Sequence, residues 1–174
     1  MLMQVRLILG IATALAAVGC ASMMPAAPKA TAQLAPTAGN RTAGTVTFTA
    51  TGDRVRVLAK VSGLSPGAHG FHIHEKGDCS AADATSAGGH FNPTNKPHGN
   101  PAAGEHHGGD MPMLEADAAG NAALDVTLDA VTLTSGLHGI VGRAVIVHKD
   151  ADDFRTQPTG NSGARVACGV IAAA

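Results

Sequence analysis

Thr45-Val46-Thr47-Phe48-Thr49-Ala50-Thr51-Gly52-Asp53-Arg54-Val55-Arg56-Val57-Leu58-Ala59-Lys60-Val61-Ser62 decides the fold class. Val46, Phe48 and Ala50 alternate with threonines, and Thr51-Gly52-Asp53 is a turn signal. Val55, Val57, Ala59 and Val61 then alternate with Arg54, Arg56, Lys60 and Ser62, with Leu58 as the one apolar residue on the polar parity. Successive strand side chains point to opposite faces, so each arm has one apolar face and the pair reads as a hairpin. The same period returns at Leu124, Val126 and Leu128, after a turn at Gly120-Asn121, and at Val166, Cys168 and Val170. Ile140 to Val147 is a strongly apolar run that ends at His148. No stretch shows an amphipathic helical period. With no Trp or Tyr and only 4 Phe, the core must come from Val, Ile, Leu and Ala, and 22 Gly suit a turn-rich chain. The expectation is an all-β antiparallel sandwich or barrel.

The 174 residues suffice for one domain with extensions. Charged residues are 14% and the net charge is −1 with His neutral, so there is no basic footprint for nucleic acid. Arg6 precedes the apolar run Leu7–Val18, which is shorter than the roughly 20 residues of a membrane span and reads as a secretory signal. Ala17-Val18-Gly19-Cys20 resembles a bacterial lipoprotein cleavage box, although Leu is usual where Ala17 stands. The expectation is a signal over residues 1–19 and lipidation of Cys20, which would anchor the protein to a membrane in a bacterial periplasm or cell envelope. The alternative is an ordinary signal cut elsewhere. Residues 20–43, with Pro25, Pro28 and Pro36 among Ala, Thr and Ser, read as a flexible tether, which places the domain at 44–174.

Chemistry concentrates after Gly70-Phe71-His72-Ile73-His74-Glu75. On a strand, His72 and His74 share one face while Phe71 and Ile73 take the other. His90, His98, His106, His107 and Asp110 follow in one Gly/Pro-rich segment, and His148 ends the apolar run. Imidazoles with a carboxylate suit zinc and copper. From Lys76 to Pro112 little regular structure is expected, and a loop of that length needs a function or a cross-link to hold it. If Cys20 is lipidated, Cys79 and Cys168 remain as a pair. A secreted chain favours their disulfide over two reduced thiols.

His72-Ile73-His74, Gly89-His90-Phe91-Asn92-Pro93, His107-Gly108-Gly109-Asp110, Val147-His148 and Gly160-Asn161-Ser162-Gly163-Ala164-Arg165-Val166-Ala167-Cys168-Gly169 together resemble the copper/zinc superoxide dismutases. The resemblance covers residues 44–174. It implies an eight-stranded antiparallel Greek-key β-barrel with a long metal-binding loop. It also implies one copper, on His72, His74, His90 and His148, and one zinc, on His90, His98, His107 and Asp110. His90 would bridge the metals as an imidazolate and carry a proton to the product. Arg165 would attract and place superoxide, which is converted to oxygen and hydrogen peroxide, and Asp152 would join the outer nitrogens of His72 and His98.

The family spacing His-x-x-Asp selects His107 over His106 for zinc. His69 aligns with a family histidine that packs near the metals without binding them, and His138 is left without a role. The segment between Asp153 and Gly160 is shorter than the charged loop of animal enzymes and looks like the bacterial branch. Arg155 and Lys149 are then the other steering candidates. Family members use different dimer faces or stay monomeric, so a homodimer is an open expectation. The alternative to catalysis is an envelope protein that binds or delivers copper and zinc without turnover.

Overall fold

The computed structural model describes residues 26–174. Nine strands form one antiparallel sheet: β1 (Lys29–Pro36), β2 (Ala43–Thr51), β3 (Arg54–Ser62), β4 (Gly67–His69), β5 (Phe71–His74), β6 (Leu114–Ala116), β7 (Ala122–Leu128), β8 (Ala144–His148) and β9 (Arg165–Ala173). They neighbour one another in the order β4-β6-β7-β3-β2-β1-β9-β8-β5. The two ends of that order are consecutive in the chain, separated only by Gly70, so the backbone itself closes the sheet into a nearly complete barrel. The expected count of eight becomes nine because β4 pairs with β6 and β5 with β8, which splits one stretch at Gly70.

The hairpin forms as its alternation predicts, with Thr51 opposite Arg54 across the turn and Phe48 opposite Val57. Val46, Phe48, Val55 and Val57 are buried in one core with Phe71, Ile73, Leu114, Ile140 and Ile171. Each such side chain removed from water contributes about 1.5–3 kcal/mol of hydrophobic stabilisation. β8 is buried on both faces, which accounts for its uninterrupted apolar sequence. Its inner face lies in the barrel core, while Ala144 and Ile146 pack outward on Ala84, Ala87 and Cys168 beneath the long loop. That loop contains no strand and only the 3-10 turn Thr85–Ala87.

The tether expectation for residues 20–43 needs correction. From Lys29 to Pro36 the chain is β1, paired with β2 on one side and β9 on the other. Ala30, Ala32 and Leu34 are buried in the core, so the folded unit begins at Lys29 and not at residue 44. The period of two is present at these positions, but alanine contributes little hydrophobic signal, and Pro28 before the strand and Pro36 at its end obscure it. The expected signal segment and Cys20 lie outside the described residues. No helix among the described residues is long and apolar enough to cross a membrane.

Candidate metal centre

The barrel wall supplies three of the imidazoles. On β5, Phe71 and Ile73 enter the core while His72 and His74, both buried, face outward. On β8 the register shifts between Val147 and His148, and such an irregularity re-aims a side chain; His148 turns to the same patch. The long loop then lies along the free edge of β5. Ile73 N–H donates to Gly109 O (2.9 Å), and Phe91 N–H donates to Ile73 O (2.8 Å). The resulting bridges set His90 opposite His74 and Asp110 opposite His72. These backbone bonds both cap a sheet edge and deliver the loop's side chains to the strand's histidines.

Two groups of ligand atoms result: His72, His74, His90 and His148, and His90, His98, His107 and Asp110. His90 belongs to both. Its ring stacks on His72 with centroids 3.9 Å apart and lies edge-on to His107 at 5.5 Å.

The outer ring nitrogens of His72, His74, His98 and His148 are occupied. His74 Nδ1–H donates to Gly88 O (2.9 Å) and His148 Nδ1–H to Gly163 O (3.2 Å). Asp152 accepts from His72 Nε2 (2.6 Å) and from His98 Nε2 (2.9 Å), spanning the two groups. Such bonds fix the ring orientations and leave the other nitrogen facing into the site. The inward-facing atoms are His72 Nδ1, His74 Nε2, His90 Nε2, His98 Nδ1, His107 Nδ1 and His148 Nε2, all buried without a hydrogen-bond partner. Six buried ring nitrogens without partners in one dry site are costly unless something binds there.

Asp110 completes the second group. Its Oδ1 lies 3.0 Å from both His90 Nδ1 and His98 Nδ1 and 3.5 Å from His107 Nδ1. Its Oδ2 is held by the N–H groups of Gly99 (3.1 Å) and His107 (2.9 Å).

Without metal, the two groups differ in charge. Burial drives His74 well below the ordinary range, with repulsion from His90 adding to it. Burial also lowers His90 to about 4 and His148 to about 3. His98 goes the other way: burial opposes its charged form, but the neighbouring carboxylates of Asp110 and Asp152 prevail and raise it to about 9. Both carboxyls are held well below the usual range, because the bonds from these imidazoles outweigh burial.

The donor chemistry divides accordingly. Four imidazoles suit copper, and three imidazoles with one carboxylate suit zinc. The sequence pattern of the family described as Copper/zinc superoxide dismutase (SODC) matches residues 42–171.

The chain belongs to the copper/zinc superoxide dismutase family.

Relatives named as extracellular Cu-Zn superoxide dismutases occur in Haemonchus contortus and Caenorhabditis elegans. The first is 42% identical over 75% of this chain and 74% of its own length. The second is 41% identical over 74% of this chain and 60% of its own length. Among solved structures, that of the clock protein EA4 superposes with a TM-score of 0.75 at 40% identity, over 86% of this chain and 97% of the other. The protein is accordingly an enzyme of the superoxide dismutase class, with copper and zinc as cofactors.

Around this dismutase site, Cys79 and Cys168 form a disulfide. It fastens the loop to β9 three residues beyond Arg165. The half-buried Arg165 guanidinium donates to Ala84 O (2.7 Å) and Gly88 O (2.6 Å). Gly88 O thus joins Arg165 to His74. Asp153 does not pair with Arg165; it caps its own turn by accepting from Arg155 N–H and Thr156 N–H.

His106 stays outside both groups, with Nδ1 on His107 O (2.7 Å). His69 sits behind the site, Nδ1 2.9 Å from His148 O. His138 donates from Nδ1 to Ala130 O (3.0 Å). Arg155 and Lys149 are exposed. Sequence reading missed the Gly88 and Gly163 carbonyls, which have no side chain to reveal them. It also missed Arg143, whose guanidinium lies 3.7 Å over the Phe91 ring beside His90.

Proposed function

We propose that the protein disproportionates superoxide to oxygen and hydrogen peroxide, with copper on His72, His74, His90 and His148 and zinc on His90, His98, His107 and Asp110. The observation that carries this reading is the set of six orphaned ring nitrogens, divided into two groups that share His90. Copper, when bound, supplies a one-electron couple that accepts from one superoxide and donates to the next, whereas zinc has no redox chemistry.

The protein's own groups do the rest. His90 has one ring nitrogen toward each group. A neutral imidazole has only one free lone pair, so serving both requires the imidazolate, which two neighbouring cations favour. Nε2 of His90 can therefore hold a proton and return it to the product. Asp152 keeps the rings of His72 and His98 in orientation. Arg165, fixed by two carbonyls, presents a permanent charge beside His74, where a small anion would be drawn and placed.

The reading extends to place. A signal-like start, a disulfide and relatives named extracellular together support secretion. We place the protein in a bacterial envelope, held by lipid on Cys20, where it protects that compartment. Wild-type protein released quantitatively without detergent would contradict the anchor. Val141 and Val170, 41% and 40% exposed, flank the Gly142–Ile171 backbone bond and support a homodimer. A single monomeric species in sedimentation at all concentrations would remove that part.

Metal analysis with a superoxide assay on the full chain tests the whole. One copper and one zinc per chain with rapid dismutation is the expected result. The same metal content without dismutation would instead indicate a copper-binding or copper-delivery protein.

A further inference from the structure

The loop Asp152–Gly160 converges on one residue. His98 lies outside any strand, between Pro97 and Gly99, so no sheet ladder holds its peptide groups. They are instead held by a side chain from 59 residues away. His98 N–H donates to Gln157 Oε1 (2.8 Å), and Gln157 Nε2 donates to His98 O (2.9 Å). The amide thus takes the place of a neighbouring strand. A side-chain amide sets a donor and an acceptor side by side on one planar group, the complement of a peptide N–H and C=O. A carboxylate accepts only, Lys and Arg donate only, and Asn is one methylene shorter.

The surrounding turn supports this grip. Asp153 accepts from Arg155 N–H, Thr156 N–H and Thr156 Oγ1, and Gly160 N–H donates to Thr156 O. Gln157 Nε2 also donates to Arg155 O (3.2 Å). The Phe154 ring stacks near His98, with centroids 6.5 Å apart and planes 20° from parallel. Gly160, at φ +65°, leaves room: a Cβ there would collide with the Asp152 carboxylate and come 2.6 Å from His98 Nε2. His98 is therefore approached by this one turn at its ring, its N–H and its carbonyl.

We propose that Gln157 is a positioning residue for the zinc half of the site, clamping the backbone of His98 so that its Nδ1 faces Asp110. The short turn acts here as a clamp on a ligand. The inference rests on the reading of His98 as a zinc ligand.

The test uses the full chain stripped of metal, titrated separately with zinc and copper, and with cobalt(II) as a spectroscopic probe of the zinc position. Gln157 is exposed, so its replacement leaves the core intact. Gln157→Met keeps the length and removes both bonds. It should weaken zinc binding about tenfold, as expected for losing a pair of partly exposed hydrogen bonds. It should also speed zinc release and alter the cobalt spectrum, while copper affinity stays within about twofold of wild type. Gln157→Glu, which keeps an acceptor and loses the donor, should also bind zinc more weakly. Wild-type zinc affinity and an unaltered cobalt spectrum in both variants would overturn the inference. His98→Asn separates the two layers. If it leaves zinc binding unchanged, the ligand assignment itself fails. If it abolishes tight zinc binding while Gln157→Met does not, only the clamp fails.

Discussion

The two halves of the site are built by different means. His72, His74 and His148 stand on β5 and β8, whose backbones are fixed by pairing with each other and, through β8, with β9. His98, His107 and Asp110 stand on a loop with no strand of its own, and their order depends on Asp152, Gln157 and peptide N–H groups. The sheet half is preformed by the barrel core, whereas the loop half is held by polar contacts that water and protons can contest. The charge states follow the same division: the sheet half keeps neutral imidazoles, and the loop half holds a proton on His98 when no metal is present. Perturbations of the loop should therefore reach zinc before copper.

The largest effect should come from Cys79→Ser. The disulfide closes a span of 89 residues, and cross-links of this kind stabilise by roughly 2–4 kcal/mol. Denaturation of the metal-free protein should show that loss. Zinc retention should fall with it, because the same segment carries the loop away from β9. Equal stability of variant and wild type would mean that the loop does not depend on its tie.

Asp152→Asn comes next. Loss of such an outer partner typically costs about 10–100-fold in metal affinity. Titration should find zinc weakened more than copper, because His72 is also held by its strand and His98 is not. A larger loss of copper would reverse the contrast drawn between the halves.

Arg165→Ile should lower the superoxide rate constant about tenfold with metal content unchanged, and Arg165→Lys should lose less. The wild-type rate should fall as salt rises, since screening shortens the reach of the charge. The net charge of −1 makes local placement the source of attraction. A variant with lowered melting temperature but an unchanged rate and salt dependence would assign Arg165 to fastening the loop.

The smallest effect is a proton count. His98, at about 9 without metal, is protonated at pH 7.5, whereas His148, at about 3, is not. Calorimetry in buffers of different ionisation enthalpy should show zinc alone releasing about one proton from His98, and copper alone releasing none from His148 or His74. The same shifts set the pH response of the metal-free fold. The raised His98 contributes stability that is complete below about 6.5 and is lost as pH rises through about 9. The depressed His90 and His148 contribute stability that is present above about 6.5 and is lost as pH falls toward 4 and 3. Denaturation midpoints should thus decline on both sides, with His98→Asn flattening the alkaline limb.

The sheet half was also the half most legible in the sequence. A period of two at Thr45–Ser62 and a His-x-His at His72–His74 state both the strand and the face, because strand geometry maps spacing directly onto direction. β1 escaped because Ala30 and Ala32 bury little surface and resemble linker composition. The loop half was legible as a set of ligand types but not as a shape. His98 and His107 are brought together by carbonyls, N–H groups and the amide of Gln157, none of which spacing in the chain reveals.

Anomalous diffraction at the copper and zinc absorption edges, from crystals of the full chain loaded with both metals, tests the division most directly. The account predicts one copper peak among His72 Nδ1, His74 Nε2, His90 Nε2 and His148 Nε2. It predicts one zinc peak among His90 Nδ1, His98 Nδ1, His107 Nδ1 and Asp110 Oδ1. Zinc at the strand-held position, copper at the loop-held one, or a metal not touching His90 would contradict it.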